Sequence, residues 1–244
     1  MGSVSVEVSQ GYVRFAGCCY LLIIALGLFS ETQVRGSLVA AGDAATTAAQ
    51  IGASAQLWRS GIVADLCMQL LDIPIIVLFY LLFKRVNAAL NLTATGFNLI
   101  QTAMLVANKL TLLVPLLLAG SGVYLAAFSA EQRNALAYLA IQLHGYGFAI
   151  GLLFFALACI IRGYLIVKSE FLPAFLGYLL TAAGFCYISN SFLLLLVPSI
   201  AGLFFPWILM PCLVGELAIT LWFLFFGVNT TAWQAKLNSP AAVL

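Results

Sequence analysis

Residues 61–83 read GIVADLCMQLLDIPIIVLFYLLF, and this stretch decides the class of the protein. A helix rises about 1.5 Å per residue, so a hydrocarbon core about 30 Å thick takes about 20 apolar residues to cross. The stretch is long enough, and its only charged residues, Asp65 and Asp72, lie inside it. Working outward, comparable apolar runs lie near 15–29, 97–118, 135–161, 174–197 and 203–226. A barrel would alternate apolar and polar residues, and an open sheet would leave its edge hydrogen bonds unsatisfied in lipid. No such alternation is visible, so the expected fold is all-α: a polytopic transmembrane helix bundle of about six spans, with a short extracytoplasmic helix between spans one and two. The runs recur along nearly the whole chain, which reads as a single integral membrane domain over 1–244.

Composition agrees. Of the 244 residues, 64% are hydrophobic and only 7% charged, with a mean hydropathy of +1.11, whereas soluble chains carry about a quarter charged residues. The net charge of +2 is small and dispersed along the sequence, which argues against a nucleic-acid partner and leaves the lipid bilayer as the expected one. Position matters more than sum. In a six-span chain Arg14, Lys84, Arg85, Arg162, Lys168 and Lys236 fall on the amino-terminal side, and Arg35, Arg59 and Arg133 on the other. The excess of basic residues on cytoplasmic loops then places both termini in the cytoplasm. The first run is short and follows Arg14, as in a secretory signal peptide with cleavage near Ala25 or Gly27. A retained helix is favoured because the later spans need an anchored start. Cys18, Cys19, Cys67, Cys159, Cys186 and Cys212 all sit in apolar runs without CxxC or metal spacing, so neither a metal nor another cofactor is expected.

The connection from Ser30 to Ser60 contains an Ala-rich helix, Ala44 to Trp58, with Asp43 at the N-cap. Trp58 and Arg59 should then sit at the bilayer interface, as an amphipathic ring and a snorkelling cation. The connection reads as a cover for the bundle mouth, with a substrate-gating lid as the alternative. Gly147 and Gly151 form a small-xxx-small pair suited to close helix packing.

Ionisable side chains inside the spans are the candidates for chemistry, because each is costly in lipid unless paired, hydrated or neutralised. Asp65, Gln69 and Asp72 recur at i, i+4 and i+7 and share one helix face. Lys109 with Asn108, His144, Asn190 and Glu216 lie at overlapping depths, and together these residues suggest a buried polar centre shared by the second, third, fourth and sixth spans. Lys109 could neutralise Asp72 or Glu216 and serve packing alone. Carboxylates and a histidine near the midplane are equally the groups of a proton-coupled or ion-transport site. A membrane-embedded enzyme acting on a lipid or apolar substrate, with His144 as acid or base, is a further alternative, as is a non-catalytic assembly or sensory module. The enzyme reading lacks an HExxH, GxSxG or phosphate-loop motif, and a single histidine excludes a multi-histidine metal centre. The leading expectation is an integral membrane protein that binds or transports a small molecule or ion through the polar centre. Homo-oligomerisation stays open, since the small-residue faces are also needed inside the monomer.

Several segments together carry a family resemblance: Arg14-Phe15-Ala16-Gly17, Gly42-Asp43-Ala44-Ala45-Thr46-Thr47-Ala48, Leu57-Trp58-Arg59-Ser60-Gly61-Ile62, Gly163-Tyr164-Leu165-Ile166, Lys168-Ser169, Leu172-Pro173, Leu176-Gly177, Gly215-Glu216-Leu217 and Leu221-Trp222. Their order and spacing resemble the bacterial domain-of-unknown-function 4386 family of multi-spanning membrane proteins, over nearly the whole chain. The resemblance implies an inner-membrane architecture and an unassigned activity, and transfers no catalytic residue, substrate or cofactor. It draws attention to Asp43, Arg59, Lys168 and Glu216 as pattern positions. From it follows the expectation that Asp43 or Arg59 helps dock the outer helix, that Glu216 belongs to the buried centre, and that Lys168 marks the cytoplasmic edge of the fifth span.

Overall fold

A computed structural model describes residues 8–238, and the elements in it are all helical. Helix α1, Gln10–Leu28, continues through a π-helical segment, Phe29–Arg35, and a last turn, Gly36–Leu38. Then follow α2 (Ala44–Ala53), α3 (Ala55–Phe83), α4 (Ala88–Leu118), α5 (Ala130–Ser169), α6 (Ala174–Leu196), the short α7 (Pro198–Phe204), α8 (Met210–Phe225) and α9 (Thr230–Asn238). Six helical stretches are long and apolar enough to cross a membrane: Gln10–Leu38, Ala55–Phe83, Ala88–Leu118, Ala130–Ser169, Ala174–Leu196 and Trp207–Phe225. The protein is thus an all-α polytopic membrane protein.

Two boundaries differ from the sequence reading in a way that matters later. The first span does not stop near Phe29 but runs to Leu38, because the polar residues Ser30 to Arg35 find partners within the fold. The fourth does not stop near Ile161 but runs to Ser169, which carries Arg162 into the interior at 3% exposure. Helix ends are fixed by local chemistry. Asn87 caps α4 by accepting the Leu90 amide at 2.9 Å, and Ser129 and Gln132 form a reciprocal capping box before α5. Gly227, at φ 71°, ends α8 by returning its amide to the Trp222 carbonyl. A side chain there would run into the Gln10 amide, which instead bonds the Val228 backbone.

The chain divides into two compact units. The first comprises Met1–Leu22, Leu71–Thr102 and Ala149–Leu244. Its helices α5 and α6 cross where Gly163 and Gly177 face each other, so closely that a Cβ on either would lie 2.5 Å from the other's carbonyl oxygen. Gly215 gives α8 a similar approach to the Leu179 carbonyl of α6. Small residues therefore let backbones pack where lipid offers no hydrophobic driving force. Phe79 and Phe83 stack at 5.9 Å and bring in Phe223 and Phe171.

The second unit comprises Ile23–Leu70 and Ala103–Phe148. Its core is Val34, Leu38, Ile51, Trp58, Ile62, Leu112 and Ile141. Trp58 is not an interfacial anchor: it is 1% exposed and donates its indole N–H to the Leu112 carbonyl at 2.8 Å. That carbonyl lies in the turn before Pro115, a proline inside α4 that cannot donate an amide to the helix. Arg59 next to it is exposed. The expected outer helix is α2, and Asp43 does cap it, accepting from the Thr46 amide at 2.9 Å and the Thr46 hydroxyl at 2.7 Å. Docking is done by other groups: Thr47 bonds the Ala40 backbone, the Gly42 amide donates to the Tyr138 hydroxyl at 2.7 Å, and Ile51 enters the core.

The Thr46 amide, its hydroxyl and the Ala45 amide hold the Asp43 carboxyl below the usual aspartate range. Its stabilising effect is therefore complete above the unfolded value of about 3.9 and is lost as pH falls through the lower folded value. Asp43→Ala should speed hydrogen exchange of the first-turn amides of α2 at neutral pH, and the difference from the wild type should shrink on acidification. A pH-independent difference would mean that the carboxylate's charge is irrelevant to the cap.

Candidate functional site

The sequence-predicted polar residues fall into two sets, one in each unit. In the second unit Asp65 is the hub. One of its oxygens accepts from Arg35 Nη1 at 2.8 Å and from Lys109 Nζ at 3.0 Å, and Arg35 also binds Glu31 at 2.8 Å. The Asp65 and Lys109 side chains are 3% and 6% exposed, while Glu31 reaches the surface. Two cations thus meet two anions. Lys109 neutralises Asp65 and has neither Asp72 nor Glu216 as an ion-pair partner. Arg35, assigned from sequence to a loop, is placed here by the π-helical segment. That segment passes close to α3 at Gly61, whose Cβ would lie 2.8 Å from Val34, and the Ser30 hydroxyl donates to the Gly61 carbonyl. A π-helical turn is uncommon and is found often at functional sites.

Asn108, next to Lys109, uses its side-chain amide nitrogen on His144, bonding the backbone carbonyl at 2.9 Å and lying 3.1 Å from Nδ1. Gly147 makes this crossing of α4 and α5 feasible, since a Cβ there would lie 2.2 Å from Asn108 Oδ1. His144 is buried and engaged in helix contact, an arrangement suited to packing rather than to acid–base exchange with a substrate. Gln69 is buried with Oε1 lacking a hydrogen-bond partner.

The first unit holds a different constellation. Asp72, half-buried on α3, accepts from the Asn98 amide and the Thr102 hydroxyl of α4, each at 2.9 Å. Arg162 of α5 donates to the other end of the same amide, Asn98 Oδ1. Asn98 therefore sits between guanidinium and carboxylate. The Arg162 guanidinium lies 4.7 Å from the Phe79 ring centroid, a cation–π contact, and its Nη2 has no hydrogen-bond partner. Glu216 of α8 is buried and accepts from the Tyr187 hydroxyl of α6, and the buried Tyr20 of α1 lies within electrostatic range of the same carboxylate. Asp72 and Glu216 are close enough for their charges to interact, and Asp72 and Arg162 likewise. Measured along the helices, Asp72 lies about 16 Å from the end of α3, Arg162 about 10 Å from the end of α5 and Glu216 about 14 Å from the end of α8, so none is at a helix terminus.

Arg162, Asn98, Thr102, Tyr187 and Tyr20 were not singled out in the sequence reading. Arg162 had a signal: the apolar run Gly163 to Val167 continues beyond it, so the cation interrupts a span rather than ending one. Asn98 and Thr102 stand at i and i+4 and so share a helix face. Tyr187 is one turn from Asn190, which is half-buried on α6 and is not the residue that bonds Glu216. Lys168 is exposed near the end of α5, before α6 begins.

The family model for a domain of unknown function, DUF4386, matches residues 15–227. The chain belongs to the DUF4386 family. No curated protein and no solved structure matches it. The matched segment of this DUF4386 protein holds both polar sets, from Glu31 through Glu216. The family supplies an architecture without an assigned chemistry, so the chemistry has to come from the residues themselves.

Proposed function

We propose that this DUF4386 protein takes up a proton at the Asp72–Arg162–Glu216 cluster and couples it to the binding and movement of a small solute or ion across the membrane. One observation carries the reading: the Asp72 and Glu216 carboxylates lie within reach of each other's charge, while the Arg162 guanidinium serves Asp72 alone, through Asn98 and without a direct ion pair. In the second unit Arg35 and Lys109 balance Asp65 and Glu31. In the Asp72–Arg162–Glu216 cluster of the first unit, full ionisation sets two negative charges against the one positive charge of Arg162. Within a membrane interior such an excess must be met by a bound proton or cation. The groups around the carboxylates, from Asn98, Thr102 and Tyr187, all donate hydrogen bonds, whereas a metal cation needs a shell of oxygen acceptors. The arrangement favours a proton. Purified protein in liposomes with an entrapped pH indicator tests it: an imposed gradient should dissipate faster than in empty vesicles, or drive solute uptake.

We infer in addition a bacterial inner-membrane location with both termini cytoplasmic. Removing the inward-facing Arg35 and Arg162 from the loop count takes one residue from each side and leaves Arg14, Lys84, Arg85, Lys168 and Lys236 against Arg59 and Arg133, so the excess of basic residues on the terminal side is kept. Single-cysteine labelling at either terminus of a cysteine-free variant should fail in intact cells and succeed in inverted vesicles. Labelling in intact cells would reverse the assignment.

A further inference from the structure

The basic residues that are dispersed along the sequence gather in the fold of the first unit. A cavity of about 310 Å³ is lined by Val86, Asn87, Tyr164, Lys168, Glu170 and Lys236, and Lys84 and Arg85 immediately precede its first wall. Among the described residues that line it, Lys168 and Lys236 are basic and Glu170 is the one acid, in a chain whose whole net charge is +2. Three elements build the wall: the connection from α3 to α4, the end of α5, and α9. Lys168 lies 5.9 Å from the centroid of the Tyr164 ring, and both side chains are exposed.

A second cavity, of about 420 Å³, shares Glu170 and has Trp222 and Phe226 on its wall. Their rings stack at 4.5 Å, Phe175 packs edge-on against Trp222, and Phe226 is 68% exposed. Glu170 adopts φ 66°, a left-handed conformation that costs a non-glycine residue energy and persists only where surroundings enforce it. The turn it makes at the end of α5 lets one residue border both cavities.

The geometry points to a binding site for the headgroup of an anionic glycerophospholipid. The phosphodiester would lie in the basic cavity, against Lys168 and Lys236, with the glycerol and upper acyl segment beside the aromatic pair. Basic pockets between membrane helices select anionic headgroups, and exposed aromatic rings favour the interfacial depth at which a glycerol backbone sits. A free phosphate would gain nothing from Trp222 and Phe226, which is why a lipid is the occupant.

Native mass spectrometry of the full-length protein in detergent, titrated with dioleoyl phosphatidylglycerol, dioleoyl phosphatidylcholine or inorganic phosphate, decides the matter. One phosphatidylglycerol should be retained in clear preference to phosphatidylcholine. Lys168→Gln should abolish the preference, Arg59→Gln in the second unit should leave it intact, and Glu170→Gln should strengthen it. The last variant gains binding, an outcome that misfolding cannot imitate. Equal retention of the two lipids, an unchanged preference in Lys168→Gln, or displacement of the lipid by inorganic phosphate at equal concentration overturns the proposal.

Discussion

Glu216→Gln is expected to reduce proton-coupled flux to the level of empty liposomes while the protein still folds. The amide has nearly the carboxylate's shape and can still accept from Tyr187, so the packing between α6 and α8 should survive. What it cannot do is take up and release a proton. Glu216→Asp keeps the acid and should retain part of the activity, and Tyr187→Phe removes a donor to the carboxylate and should move the pH at which flux is half-maximal. Glu131→Gln, at an exposed position in the first turn of α5, serves as the control and should behave as wild type. If Glu216→Gln and Glu131→Gln both conduct normally, the excess charge has another remedy and the cluster is structural.

Asp65→Asn should be the most destabilising polar substitution in the second unit. Two cations converge on Asp65, and removing it leaves Lys109 without its ion-pair partner while Arg35 keeps only the surface residue Glu31. Breaking a buried ion pair from one side costs about 3–5 kcal/mol, much of it the penalty of an uncompensated charge. Lys109→Met should cost less, because Asp65 retains Arg35. The double variant Asp65→Asn with Lys109→Met should recover stability relative to Asp65→Asn alone, since the stranded ammonium is gone. Reversible unfolding in mixed micelles, followed by circular dichroism, measures all three. Additive losses in the cycle would show that Lys109 and Asp65 do not act as a pair.

The two substitutions probe different physics. In the second unit the charges balance, so disturbing them is a matter of stability. At the Asp72–Arg162–Glu216 cluster they do not, so on the proposed function changing one should alter proton uptake there. Length and charge pattern alone could not separate these cases, because Asp65 and Asp72 look alike in sequence: both are carboxylates on one face of one apolar helix. Their partners distinguish them, Arg35 and Lys109 for one and Asn98, Thr102 and Arg162 for the other.

The same contrast runs through the residues read from sequence. Asp43 was legible as a cap because an N-cap bond is local, reaching only three residues along the chain. Trp58 was not legible as core, because a tryptophan beside an arginine at a span boundary fits an interfacial anchor equally well, and only the Leu112 carbonyl across the unit shows where its N–H goes. Arg162 was misread as a loop residue for the same reason: a cation near the end of an apolar run marks a boundary unless something inside the fold receives it. Asn98 and Phe79 receive it.

The sequence by itself determined the membrane class, the helical fold, the approximate positions of six spans and the family, because these follow from apolar run length, from the need to satisfy backbone hydrogen bonds within each span, and from short motifs in fixed order. Which charges meet was decided only by the tertiary structure. A salt bridge or a relay such as Arg162–Asn98–Asp72 joins helices that are far apart in the chain, and its geometry is set by helix crossings at glycines and by a π-helical turn that no composition records.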